Sequence, residues 1–355
     1  MKVLKYYKKQ LYLNYYYILV FVIFSSLITN AQEVKLINKF ETASNLYSSP
    51  TVTKDDIVVF CGHDKHIYFF DKSTNLINSY KTRGWIHASP KVLSNGNIII
   101  GSYDKNIYIF NPKGDLVQNF QPGGRIFSKI LELPDRRIVF GSNKKGLIFY
   151  NLKDSTSQLF KTKKLPHTDL SLTKEGKILT GSLGKYVYSI SPDLKQIDKF
   201  KTKGWVLHSK PTELNNGTIV VGSYDKSVYF LDSNLNLLHQ FKSKGKIHGN
   251  PLVLNDSIIV IGSFDKSVYF LTSDGKLKYQ FKTEGKVISS PVQLSDGTVV
   301  ICSYDNYVYF LTPKAELISK FKTKGHIFST PVVMSNNTVA VGSNDNFIYF
   351  LKLEK

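Results

Sequence analysis

From residue 57 to the carboxyl end, short and almost wholly apolar runs alternate with polar, turn-rich segments at a fixed period. The segments read CGHDKHIYFF from Cys61, GSYDKNIYIF from Gly101, GSNKKGLIFY from Gly141 and GSLGKYVYSI from Gly181. They continue as GSYDKSVYFL from Gly222, GSFDKSVYFL from Gly262, CSYDNYVYFL from Cys302 and GSNDNFIYFL from Gly342. Successive starts lie 40 residues apart, with one step of 41 where residues 204–208 carry an extra position. A single residue added to a strand makes a β-bulge, so a bulge is expected there.

Each unit parses into four strands. In the seventh, residues 286–293 make the first, and Ser295-Asp296-Gly297 supplies turn chemistry. Residues 298–303 (TVVICS) are apolar between their two ends, as in a strand covered on both faces. Tyr304-Asp305-Asn306 turns the chain into a third strand over 307–312. The fourth is clearest one unit earlier, where Leu277, Tyr279 and Phe281 alternate with Lys276, Lys278, Gln280 and Lys282, the period of two of a half-buried edge. No stretch after residue 32 carries a 3.6-residue apolar period. Four-stranded units of about 40 residues, repeated four to eight times, are propeller blades.

The ends fix the count. The eighth unit stops after three strands, and residues 35–42 (KLINKFET) have the form of a fourth strand, with Phe40 matching Phe281. Pairing of that segment into the last blade closes the ring and leaves no long open edge. The sequence therefore predicts an all-β, eight-bladed β-propeller over residues 32–355. Its packing is expected to rest on Phe40, Tyr80, Phe120, Phe160, Phe200, Phe241, Phe281 and Phe321, one aromatic per outer strand, each burying apolar area between neighbouring strands.

The amino terminus is a different material. Basic, Tyr-rich residues precede the mostly apolar stretch 18–28, and a small residue, Ala31, follows. That is the order of a secretory signal, with cleavage expected after Ala31. The stretch is well short of the ~20 residues that span a bilayer; retention as an anchor is the competing reading. The chain is accordingly expected to be exported, periplasmic or secreted, with no transmembrane segment after signal removal. No Cys lies near the junction, so no lipid attachment is expected. The two cysteines, Cys61 and Cys302, fall in blades two apart, beyond disulfide reach, and are expected to be free and buried.

The unit GS-x-D-K-x-V-Y-F-L, a turn, then L-x-x-x-F-K-T-x-G-x-I-x-S-S-P resembles the pyroloquinoline-quinone-type propeller repeat, over about residues 33–353. That superfamily holds quinoprotein dehydrogenases and non-enzymatic scaffolds, among the latter an eight-bladed lipoprotein of outer-membrane assembly, which this chain resembles more. Blades of the family carry a docking Trp where this chain has Asn78, Gln118, Gln158, Asp198, His239, Tyr279 and Ser319 at or beside the position. The resemblance implies long inserts, a vicinal cysteine pair and a carboxylate calcium site for the quinone enzymes. The sequence shows none of them, and no cofactor is expected.

The remaining chemistry divides into three groups. Asp64, Asp104, Asp225, Asp265, Asp305 and Asp345 recur once per blade in a tight turn and are expected to be structural, accepting backbone N–H bonds. His87, His167, His208, His248 and His326, with Trp85 and Trp205, fall at the start of first strands and are expected to ring the mouth of the central channel as a polar lining. The histidines come from different blades and are expected to stand too far apart for a metal, which needs about four converging ligands.

The third group changes the functional picture. The formal net charge is +20. Lys81, Arg83, Lys161, Lys163, Lys164, Lys201, Lys203, Lys242, Lys244, Lys282, Lys322 and Lys324 lie in the linkers between blades, and Lys65, Lys105, Lys226 and Lys266 lie in turns on the same face. The opposite face carries Asp115, Asp135, Asp193, Asp232, Asp274 and Asp296. A polarised disk of this kind is expected to dock another envelope protein or an anionic glycan or surface through its basic face, with no nucleic acid as partner, as a monomer. The alternatives are a solvated ring of charge, and an enzyme, either a degenerate quinoprotein oxidoreductase or one acting on acidic polysaccharide. No phosphate loop, H-E-x-x-H or nucleophile elbow selects a catalytic group.

Overall fold

The computed structural model describes residues 32–144, 146–254 and 258–354. The expected signal segment, residues 1–31, its cleavage point and the question of lipid attachment there lie outside the described residues. Within them the chain forms eight four-stranded antiparallel sheets in a ring. Blade 1 is Thr51–Val52, Val58–Cys61, His66–Phe70 and Leu76–Lys81. Blade 8 is Val332–Val333, Val339–Gly342 and Phe347–Glu354, completed by Glu33–Glu41 from the start of the chain. The closing pair runs from Glu33↔Glu354 to Glu41↔Phe347, with one register shift between Leu36 and Asn38. No helix among the described residues is long and apolar enough to cross a membrane.

The second and third strands are buried end to end because they read VVFC, IIIG and SVYFL, β-branched and aromatic residues that fill both faces between adjacent blades. The outer aromatics are only half-buried, and each lies against the third-strand tyrosine of the next blade. Phe40 meets Tyr68, Tyr80 meets Tyr108, and so on round the ring to Phe321 and Tyr349, with centroids 4.8–6.1 Å apart. Eight such contacts replace the docking tryptophans.

Two expectations about strands need correction. The extra residue at 204–208 sits in a loop, where His208 adopts φ +59°, and makes no bulge. The bulges lie instead in outer strands, where Ile37, Ile77 and Val117 are passed over in the pairing and twist the exposed edge. First strands are also shorter than read. In blade 7 only Val292–Gln293 is ladder, because the preceding Ser289 hydroxyl takes over, donating to Cys302 C=O at 2.8 Å and accepting its N–H at 3.0 Å. Cys61 and Cys302 are free and buried, and burial pushes both thiols up.

Candidate functional site: the linker face and the channel mouth

The turn aspartates build this face. Asp225 accepts the Tyr229 hydroxyl at 2.8 Å within its own turn, and from the linker of the preceding blade it accepts Lys203 N–H and Gly204 N–H at 2.8 and 2.9 Å. Asp104, Asp265, Asp305 and Asp345 repeat the latch on their linkers. The approach leaves no room for a side chain at Gly204, whose added Cβ would meet Asp225 N at 2.4 Å. Burial works against the Asp225 charge, yet hydrogen bonds from Ser227, Tyr229, Ser223 and Gly204 hold its carboxyl below the usual range. In blade 4, Gly184 replaces the aspartate and the Tyr188 hydroxyl itself accepts Lys163 N–H at 3.1 Å. Asp225→Ala should therefore be partly rescued by Tyr229 and cost about 1–3 kcal/mol in urea unfolding, whereas the double variant with Tyr229→Phe should cost clearly more. Equal costs would show that Tyr229 rescues nothing, and a negligible cost of Asp225→Ala in both backgrounds that the latch carries nothing.

The twelve linker cations, Lys81, Arg83, Lys161, Lys163, Lys164, Lys201, Lys203, Lys242, Lys244, Lys282, Lys322 and Lys324, are all exposed on this face. Lys242 turns back onto Asp225 C=O and Ser227, and Lys282 onto Ser267; none of the twelve forms a carboxylate ion pair. The Lys and Arg ion pairs among the described residues lie at the opposite face or its edge: Lys35–Glu354, Arg136–Glu132, Arg137–Asp135, Lys177 with Glu175 and Asp198, Lys195–Asp193 and Lys276–Asp274.

The residue after each linker glycine or its counterpart opens the first-strand segment of its blade and is its mouth position. Going round the ring these are Asn45, Trp85, Arg125, Leu165, Trp205, Lys246, Lys286 and His326. The mouth residues of blades 2, 5, 6 and 7 accept from the turn residues Tyr103, Tyr224, Phe264 and Tyr304 through their backbone carbonyls. Trp85 and Trp205 are 52% and 47% exposed, the most open aromatics of the buried-sheet ring. His326 stands at this outer ring, 4.9 Å from Tyr304 by ring centroid, and apart from the other histidines.

No family model matches the chain, and no curated protein matches it in sequence. Among solved structures, the crystal structure of BamB from Moraxella catarrhalis superposes with a TM-score of 0.72 at 12% identity, covering 90% of this chain and 97% of that one. The chain shares the BamB fold. The resemblance to the quinone-type propeller repeat thus holds at the level of architecture, and at this identity it carries no site residue across.

Four of the five histidines stand closer together than expected of residues from different blades. His167 and His208 have ring centroids 4.9 Å apart, His208 and His248 stack at 4.5 Å, and His87 lies 5.9 Å from both His167 and His208. His208 takes a left-handed backbone in the loop that carries blade 5's extra residue, and the four imidazoles pack with Phe127 and Phe328 as one aromatic plug. Their nitrogens do not converge as three ligands on one metal among the described residues. Burial, then the neighbouring imidazoles, pushes His87 down to about 4. Burial also takes His248 to about 4 and His208 well below its usual value, so the plug is neutral at pH 7.

Among these rings is a polar cavity of about 60 Å³, room for a few waters. A circuit of hydrogen bonds that sequence reasoning missed, interrupted at Lys129 and Lys210, runs along its lining. Ser49 N–H donates to Ser89 Oγ, Lys129 N–H to Asp169, Lys210 N–H to Asn250, Asn250 N–H to Ser290, Ser290 N–H to Thr330, and Thr330 N–H back to Ser49, at 2.6–3.2 Å. The signal was available: the residue at the place before each first-strand proline or its equivalent is a short acceptor in six of the eight units. Lys129 and Lys210, which cannot accept, take the other two places.

Proposed function

We propose that this chain is a non-catalytic, exported scaffold propeller that docks an anionic partner, an envelope protein or an acidic glycan or surface, through its linker face. The observation that carries the reading is the distribution of ion pairs. Exposed pairs contribute little to stability, but they cancel field, and the cancellation is confined to the opposite face and its edge. The five latch aspartates and Asp64 offset part of the rim's charge, yet each has a carboxylate oxygen committed to backbone N–H groups or a tyrosine hydroxyl. What remains is a ring of lysines free to meet an oppositely charged surface, attracting it over about a Debye length, ~8 Å at physiological salt. The eight-bladed scaffold fold shared with BamB fits a role in outer-membrane assembly. This reading calls for no cofactor.

A salt series on an immobilised polyanion tests it. The protein is expected to elute at clearly lower salt after Lys201→Glu, Lys203→Glu, Lys242→Glu and Lys244→Glu together, while Lys195→Glu with Lys276→Glu on the opposite face leaves retention unchanged. Equal shifts per reversed charge from the two sets would reduce the effect to net charge and remove the docking face.

A further inference from the structure

The channel mouth differs from the basic rim around it. From blade 5 to blade 7 the wall is a run of aromatic rings, each beside the next and two of them topped by an ammonium. Trp205 lies 6.2 Å from Tyr224, and Tyr224 lies 5.8 Å from Phe264. Lys246 Nζ stands 5.0 Å above the Tyr224 ring and Lys286 Nζ 5.6 Å above Phe264. Across the mouth Trp85 stacks on His63 at 5.3 Å and 9°, which covers one indole face and leaves the other to solvent. No mouth position of any blade is a carboxylate. The acid nearest in sequence, Glu284, belongs to the linker before Lys286, where its N–H is held by Asp305.

These features select a ligand with two properties. Exposed indole faces take flat, C–H-rich surfaces, and their desolvation favours such contact over water. Ammonium groups held over rings are fixed in place and have no carboxylate partner, so they take single anionic groups. Behind these rings lies the histidine plug, with His248 against both Tyr224 and Phe264, and the cavity among its residues admits only a few waters, so the ligand lies across the mouth. We propose that the mouth is a subsite for an acidic oligosaccharide, a chain of uronic-acid type whose sugar faces stack on Trp205 and Trp85 and whose carboxylates meet Lys246 and Lys286. The inference rests on the docking reading above and gives it a ligand class and a location.

The chain has two tryptophans, Trp85 and Trp205, so tryptophan fluorescence, excited at the red edge where its tyrosines do not absorb, reads those two positions alone. The full mature chain is titrated with a uronic-acid hexamer, with a neutral glucose hexamer, and with a single-stranded oligonucleotide of equal charge, and calorimetry gives a second readout. A saturable fluorescence change with the uronate is expected, with neither control matching it. Trp205→Ala, read through Trp85, and Lys246→Ala with Lys286→Ala are each expected to weaken uronate binding about tenfold or more. The four-lysine rim reversal should change it less than either. Equal binding of the glucose hexamer, equal or tighter binding of the oligonucleotide, or unaltered affinity in the mouth variants would overturn the proposal. If the rim reversal abolishes polyanion retention while the mouth variants bind uronate as the parent does, the docking face stands and the mouth subsite falls. If uronate binding is lost in the mouth variants and the rim reversal leaves polyanion retention untouched, the mouth subsite stands alone.

Discussion

Removing residues 32–42 is expected to abolish the single cooperative unfolding transition and leave a species that self-associates. The segment supplies the whole outer strand of blade 8, paired from Glu33 to Glu41 with Phe347–Glu354. Its loss bares the backbone edge of a strand that reads FIYFLKLE, the long apolar edge that templates aggregation. It also removes Phe40, whose ring meets Tyr68 and Phe70 of blade 1 at 5.4 and 5.3 Å, and Thr42, which bonds Asn346 C=O through both its N–H and its hydroxyl. The substitution Phe40→Ala isolates the closure from gross truncation. Phe40 is half-buried, so the expected cost is about 2–4 kcal/mol, near the low end of Phe→Ala changes. Phe281→Ala is the internal control, because Phe281 makes the same contact with Tyr309 at 5.3 Å but lies in a strand continuous with its blade. Equal costs in urea unfolding mean that the ring is closed in solution. A full cost at Phe281 with none at Phe40 means that the leading strand lies loose.

The features that could be read from the sequence are those that repeat. Eight turns at a near-constant period fixed the blades, and the match of Phe40 to Phe281 located the missing strand, because a residue needed once per blade has eight chances to show its pattern. The turn aspartates were legible as backbone acceptors for the same reason. What escaped depends on single events. The count showed that residues 204–208 carry one extra position, but not whether ladder or loop absorbs it. A left-handed His208 in the loop satisfied local packing without disturbing either flanking strand. The distance expected between histidines of different blades holds for backbones around a channel. It does not hold for side chains that all point inward, where an imidazole from each of four blades reaches the axis. Lys129 and Lys210 went unnoticed because their meaning lies in interrupting a ring of acceptors, which appears only once the ring is seen.

That inward packing makes the protein acid-sensitive in a defined window. His87 and His248 each fall from an ordinary value of 6.5 to about 4, His208 falls well below 6.5, and His167 is lowered too. Burial is the first cause in every case. The groups packed around them give little relief: Asp169 favours the charged form of His167, the backbone carbonyl of Ile288 that of His248, and Asp64 that of the adjoining His63, while burial raises Tyr103, Tyr224 and Tyr304 and keeps them neutral. A histidine depressed in the folded state binds its proton more readily when unfolded. Stability is therefore full above about pH 6.5 and falls as pH drops toward 4. A shift of this size is worth on the order of 3 kcal/mol for each of His87 and His248 by the bottom of the window. The latch aspartates act lower down. Asp104, Asp225 and Asp265 are held below 3.8, so their contribution is present above that value and is lost as pH falls beneath it. Urea midpoints between pH 7.5 and 4.5 thus report the plug together with the adjoining His63, which burial also lowers. They are expected to fall steeply in the parent and to flatten in His87→Gln with His248→Gln, whose amides keep polar atoms in the plug without titrating. A parent equally stable at pH 7.5 and 5, or a double variant that keeps the parent's slope, would mean that the imidazoles are open enough to protonate without strain, and the channel would then be a wet pore and not a plug.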